Sequence, residues 1–115
     1  MIEKILIDYL LDKEIDKVGM DVYLEVPEQK PSTYLILEKT GSSYTDGVHS
    51  ATFAIQSYSA NSLLEAAEIN ESVNEVMLQM PDETEVYSVH LNGDYNYTDT
   101  ETKEYRYQSV LLIYY

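Results

Sequence analysis

The chain has no cysteine. That removes disulfides, cysteine-ligated metals and thiol nucleophiles, and it leaves the redox compartment open. There is no tryptophan, and histidine is limited to His49 and His90. Neither lies in an H-x-x-H or H-E-x-x-H spacing, so neither is expected to ligate a metal or act in a cluster. Basic residues are scarce: seven Lys and Arg against 21 Asp and Glu, a formal net charge of −14. The seven are scattered along the chain, which argues against a phosphate-tracking surface for nucleic acid or anionic membrane. No run of about 18 apolar residues offers a membrane span. Residues 1–16 carry acids through their apolar part and lack a small-residue cleavage site, unlike a secretory leader.

Reaction signatures are missing as well. There is no G-x-S-x-G, no phosphate-binding glycine loop and no dinucleotide fingerprint. Asp94-x-Asn96-x-x-Asp99, with Thr98 and Glu101, is faintly oxygen-rich. It lacks the glycine and terminal glutamate of a calcium loop and reads as a solvated hairpin tip. Asn96-Tyr97-Thr98 fits the glycosylation pattern, which carries no weight without a secretory leader. Nothing among the acids selects a glycosidase-like pair. The expectation is a protein that is not an enzyme and that uses no cofactor and no metal.

What is present is pattern. With 115 residues and 44% hydrophobic content, the chain is expected to form one folded domain over 1–115. The organising stretch is 50–80. Phe53 and Ile55 alternate with Thr52, Ala54 and Gln56, the period of a strand with one buried face. Ser62 and Glu65 then fit a capping box. Leu63, Ala66, Ala67, Ile69, Val73, Val76, Met77 and Met80 recur at helical steps, Pro81 is expected to end the helix, and Glu65, Glu68, Glu71 and Glu75 fill its other face. That acidic face is either solvated or faces a channel.

Ile2, Ile5, Leu6, Tyr9 and Leu10 predict a short first helix. Strands are expected over 21–26, 34–39, about 48–57, 86–91 and 105–115. Gly19 is a candidate break before the first of them. Gly41, Ser42, Ser43, Tyr44, Thr45, Asp46 and Gly47, rich in turn residues, are expected to form a long hairpin loop. His49 would end that loop. Gly93 is expected to mark a bulge rather than a hairpin, because the alternation runs on through Tyr95 and Tyr97. Thr98, Asp99, Thr100, Glu101, Thr102 and Lys103 should hold the next turn. The order is α-β-β-β-α-β-β: an α+β fold, a mostly antiparallel sheet with two helices packed on one face. Twelve tyrosines suit either the outer face of such a sheet or a protein interface.

Segments 1–42, 49–73 and 91–115 together resemble a family of small minor structural proteins of siphophages and prophages of Gram-positive bacteria, the tail terminator (tail-to-head joining) group. The likeness is one of pattern over nearly the whole chain, and it includes no catalytic signature. The resemblance implies a virion protein, assembled in the host cytoplasm, of which six copies form a ring at the head-proximal end of the tail tube. It implies three partners: further copies of itself, the tail tube protein and the head connector. DNA would pass through the lumen without specific binding, in keeping with an acidic chain. The two turn-rich segments 41–47 and 98–103 are the candidate contacts to neighbouring ring proteins. Other neck proteins, such as head-closure proteins, share this size and acidity. A small acidic monomeric module that binds or inhibits a basic partner, or mimics DNA, also fits the composition.

Overall fold

The computed structural model describes residues 1–15, 21–102 and 104–115. Its elements are α1 (Ile2–Asp12), β1 (Val22–Tyr23), β2 (Thr33–Thr45), β3 (Val48–Ser59), α2 (Leu63–Glu83), β4 (Ser88–Asn96) and β5 (Tyr105–Tyr114). The strands form one sheet in the order β1-β2-β3-β5-β4. Among the described residues only β1–β2 is a parallel pair; the other strand pairings are antiparallel. The expected α+β order and layering hold.

Both helices cover one face. Ile2, Leu6, Tyr9 and Leu10 of α1 join Ile69, Val73, Met77 and Met80 of α2 over Leu35, Leu37, Phe53, Ile55, Leu111 and Ile113. In each strand these residues recur at steps of two, which puts them on the helix-facing side. Fully burying a side chain of this kind contributes roughly 1.5–3 kcal/mol. The helices are also clasped to each other. The Tyr9 hydroxyl lies 2.7 Å from the Val76 carbonyl and 2.9 Å from Glu83 Oε2, and Lys13 pairs with the same carboxylate.

Several local expectations are corrected. Segment 41–47 is not a long loop. Thr45, Tyr44, Ser43, Ser42 and Gly41 pair in register with Val48, His49, Ser50, Ala51 and Thr52. The turn is only Asp46-Gly47, at φ 51 and 83. Two left-handed residues in succession make a tight hairpin whose twist matches its strands, and Asp-Gly is suited to it. His49 is therefore a strand residue. The strand expected over 21–26 shrinks to Val22–Tyr23, with Leu24, Glu25 and Val26 exposed ahead of Pro27.

Pro81 does not end α2, which runs on to Glu83; Thr84 closes it, with both its N–H and its hydroxyl directed at the Met80 carbonyl. A proline in the last turn leaves only its own hydrogen bond unmade, so the helix survives it. Leu63 stands at the exposed start of α2 rather than in the core, and Asn70 is buried in the stripe instead. Strand β3 runs two residues further than expected and β4 starts two later. The bulge at Gly93 is present, between Leu91 and Gly93. The candidate break at Gly19 and the candidate contact Lys103 lie outside the described residues.

Candidate interaction surface

The first candidate segment is an arm. Residues 41–47 are all exposed. They continue β2 as a hairpin with β3, whose other edge stays paired with β5 up to Ser50 and with Tyr115 at His49, so that only Thr45 to Val48 stands clear as a two-stranded tip. The hairpin is tied at several points. Ser43 and Ser50 hydroxyls meet at 2.7 Å. Tyr44, 64% exposed, lies 4.5 Å from the His49 ring, and His49 stacks on Tyr115 at 5.3 Å. His49 and Tyr115 also exchange backbone hydrogen bonds, at 3.1 and 2.8 Å. A bulge at Thr40, between Lys39 and Gly41, lies at the base of this segment.

The second segment is a self-contained turn. Asp99 Oδ1 accepts from the Glu101 N–H at 2.9 Å and from Thr102 at 3.4 Å. These backbone donors hold its carboxyl below the usual range. Thr98 N–H donates to Asn96 Oδ1 at 2.9 Å. Asp94 turns the other way, accepting from Asn70 and Asn74 of α2 at 2.8 and 2.9 Å. The oxygens that looked like a cation loop are thus committed to separate partners. Among the described residues no group of three or more His, Asp or Glu is placed to hold a metal ion. Arm and turn are not brought together: Thr102 and Glu104 sit beside Tyr34 and Tyr58, at the far end of β2–β3 from the Asp46-Gly47 turn.

The acidic helix face divides. Glu68, Glu71 and Glu75 are exposed. Glu65 belongs to the cap. Its N–H donates to Ser62 Oγ at 3.1 Å, as expected, while its carboxylate accepts from Ser59 Oγ at 2.7 Å and Asn61 Nδ2 at 2.8 Å.

The surface that residue-by-residue reading did not single out is the sheet face away from the helices. Tyr34 and Tyr58 stack there at 4.6 Å and 7°, both 3% exposed although no helix covers them. The Arg106 guanidinium sits 4.5 Å from the Tyr97 ring centre and donates to the Tyr58 hydroxyl at 3.0 Å. Tyr58 donates in turn to Gln56 Oε1 at 3.0 Å, Gln56 Nε2 to Gln108 Oε1 at 2.9 Å, and Gln108 to the Tyr95 hydroxyl. Burial, and then the charge of Glu104, push the Tyr34 hydroxyl up to about 12. A shallow cavity of about 290 Å³ opens over Tyr34 and Tyr58, lined also by Lys30, Pro31 and Glu104; Lys30 and Glu104 form an ion pair. The signal was present in the sequence as an absence: β3 contains no Asp, Glu, Lys or Arg, and β5 only Arg106.

No helix among the described residues is long and apolar enough to cross a membrane. A comparison with protein-family models finds none that matches the chain, and a comparison with curated proteins finds no similar sequence.

Proposed function

We propose that the protein is a structural component of a long, non-contractile phage tail. In this reading it assembles as a ring, six copies by analogy with the family it resembles, at the head-proximal end of the tail tube. It ends tube growth, joins the tube to the head connector, and lets DNA pass without specific binding. The reading rests on the resemblance of three long segments. The observation that carries it furthest is the arm: an ordered β-hairpin, exposed from Gly41 to Gly47 and free of other strands at its tip, with Asp46 as its one charged residue. Ring closure needs a patch that reaches a neighbour, and a preordered ribbon meets it with little further loss of chain entropy. The net charge of −14 supports passage rather than capture of DNA.

The test is to shorten the arm symmetrically, excising residues 44–45 and 48–49 while keeping Asp46-Gly47 and the β3–β5 ladder, which ends at Ser50. The body should still fold cooperatively, and tails should fail to join heads. Normal yields of infectious particles from the shortened chain would overturn the reading. Substituting lysine at Glu68, Glu71 and Glu75 tests whether that face lines the channel: slowed DNA ejection places it there, and unchanged ejection removes it. The exposed glutamates on α2 favour a second reading, an acidic monomeric module for a basic partner. Stoichiometric binding of a basic protein by a chain that never adds to tail tubes would establish that reading instead.

A further inference from the structure

The sheet has two faces of opposite character. The acids on α1 and α2 lie off the open face, and at one end of that face Glu104 is paired with Lys30 beside Tyr34 and Tyr58. Among strand residues that the pairings place on that face, Glu38 and Arg106 alone are charged, one of each sign. The middle of the face is Thr52, Ala54, Val110 and Leu112. An almost uncharged sheet face on so acidic a chain has the composition of an interface core: charge depleted, tyrosine and arginine enriched. Its polar groups point the same way. Gln56, Gln108, Tyr58 and Arg106 already bond to one another. Covering them therefore leaves few buried groups unsatisfied, which removes the main cost of burying a polar surface.

We propose that this face packs against the same face of a second copy of the chain, sheet to sheet. Charge selects the occupant. Helix side against helix side would set two rows of glutamates against each other. Sheet against helices would bury those carboxylates on a face with one cation. Sheet against sheet leaves both acidic layers outermost. With sheets about 10 Å apart and helices about 10 Å thick, the layers end up about 30 Å from each other, several times the screening length of about 8 Å at physiological salt.

Edge pairing is a poorer route for a second copy. Both long free edges, β2 beyond Ile36 and β4, carry a bulge, a device that blunts strand addition. The contact is small. The β3–β5 ladder is ten pairs long, so four strands of that length present about 600 Å² in projection. Tyr34, Ile36, Ala54, Gln56, Tyr58 and Gln108 are already buried within the chain. The open part, around Thr52, Val110 and Leu112, therefore falls below the roughly 800 Å² per partner of a standard interface and fits a weak pair. The contact stands apart from the tail reading. An isologous pair is closed by its own two-fold axis and cannot by itself build a ring, so it belongs to the free chain or to a second interface beside the arm.

Sedimentation equilibrium up to about 0.2 mM, where an association of about 0.1 mM still registers, tests it. The mass of the wild-type chain should rise toward that of a dimer. Leu112→Glu and Thr52→Lys, two like charges meeting across the axis, should each weaken association at least about tenfold and leave the melting curve cooperative. Glu71→Lys, on the helix side, should not weaken it. A wild-type chain that is monomeric throughout overturns the proposal. So does a dimer that folded Leu112→Glu and Thr52→Lys both leave intact. A closed ring that survives both substitutions rejects the face pair while keeping the tail reading. A face dimer that never adds to tail tubes rejects the tail reading while keeping the pair.

Discussion

Replacing Ser109 by alanine is the sharpest test of how α2 is keyed to the sheet. Ser109 is fully buried in β5, and its hydroxyl lies 2.7 Å from Asn70 Oδ1 and 2.6 Å from Asn74 Oδ1. Both amides then donate to Asp94 of β4. One hydroxyl proton serves two acceptors. Without it, Asn74 is half-exposed and water replaces the partner, but Asn70 is 2% exposed and its carbonyl is left bare. An orphaned buried acceptor costs about 1–3 kcal/mol. That is a large share of a stability of about 5–15 kcal/mol, and for a chain of this size it lowers Tm by about 3–6 °C per kcal/mol. Urea unfolding should show a lower midpoint at unchanged m-value. Asn70→Leu in the same background should restore part of the loss, because the orphan goes with it, giving a coupling energy of at least about 0.5 kcal/mol. A Ser109→Ala chain within about 0.3 kcal/mol of wild type, or strict additivity of the pair, would show that the contact is incidental and that apolar packing alone seats the helix.

Two further outcomes are expected. Gly47→Val forces a β-branched residue to φ 83 and should destabilise the arm by about 1–2 kcal/mol; Gly41→Val, with no positive φ and nothing within 4 Å of the added carbon, should be near neutral, and equal urea midpoints for the two would refute the turn geometry. The Glu83 carboxyl is held below its ordinary 4.5 by Lys13 first and the Tyr9 hydroxyl second. A depressed folded value means that its contribution is complete above pH 4.5 and fades as pH falls through the lower folded value. Glu83→Gln should therefore differ from wild type in Tm near neutrality and converge with it in acid; a gap that persists at the lowest pH would assign the effect to packing.

Much of the fold was legible because it is written in local periods. The apolar stripe of α2, the Ser62 cap and the alternation of Phe53 and Ile55 each depend on residues within a few positions of one another. The arm was misread for a related reason. Gly41, Ser42 and Ser43 have little strand preference of their own and are held extended by β3, a partner the local sequence does not announce. Asp46-Gly47 did carry the hairpin signal, and weighing it above the serines would have shortened the loop to two residues. The open face was hidden by distance. Gln56 and Gln108 are 52 positions apart and meet only through the β3–β5 register, as do Tyr58 and Arg106. What could be read in advance was the near absence of charge in β3 and β5, the trace such a face leaves in a sequence.

The bulge at Thr40 sits at the base of the arm. Lys39 lies on the helix side, where it pairs with Glu3 of α1 at 3.2 Å. Gly41 pairs with Thr52, on the opposite side. Thr40 is thus the extra residue: without it, Lys39 and Gly41 would still occupy their faces, and the hairpin would keep its pairing. A bulge bends its strand and increases local twist. Deleting Thr40 should therefore leave the core, the Asp46-Gly47 turn and the arm's length intact while straightening its departure from the body. A melting curve close to wild type, combined with loss of tail joining, would show that the arm acts through a fixed direction. Tail joining unaffected by the deletion but abolished by shortening the arm would show that reach alone matters and that the bulge serves only to blunt the β2 edge.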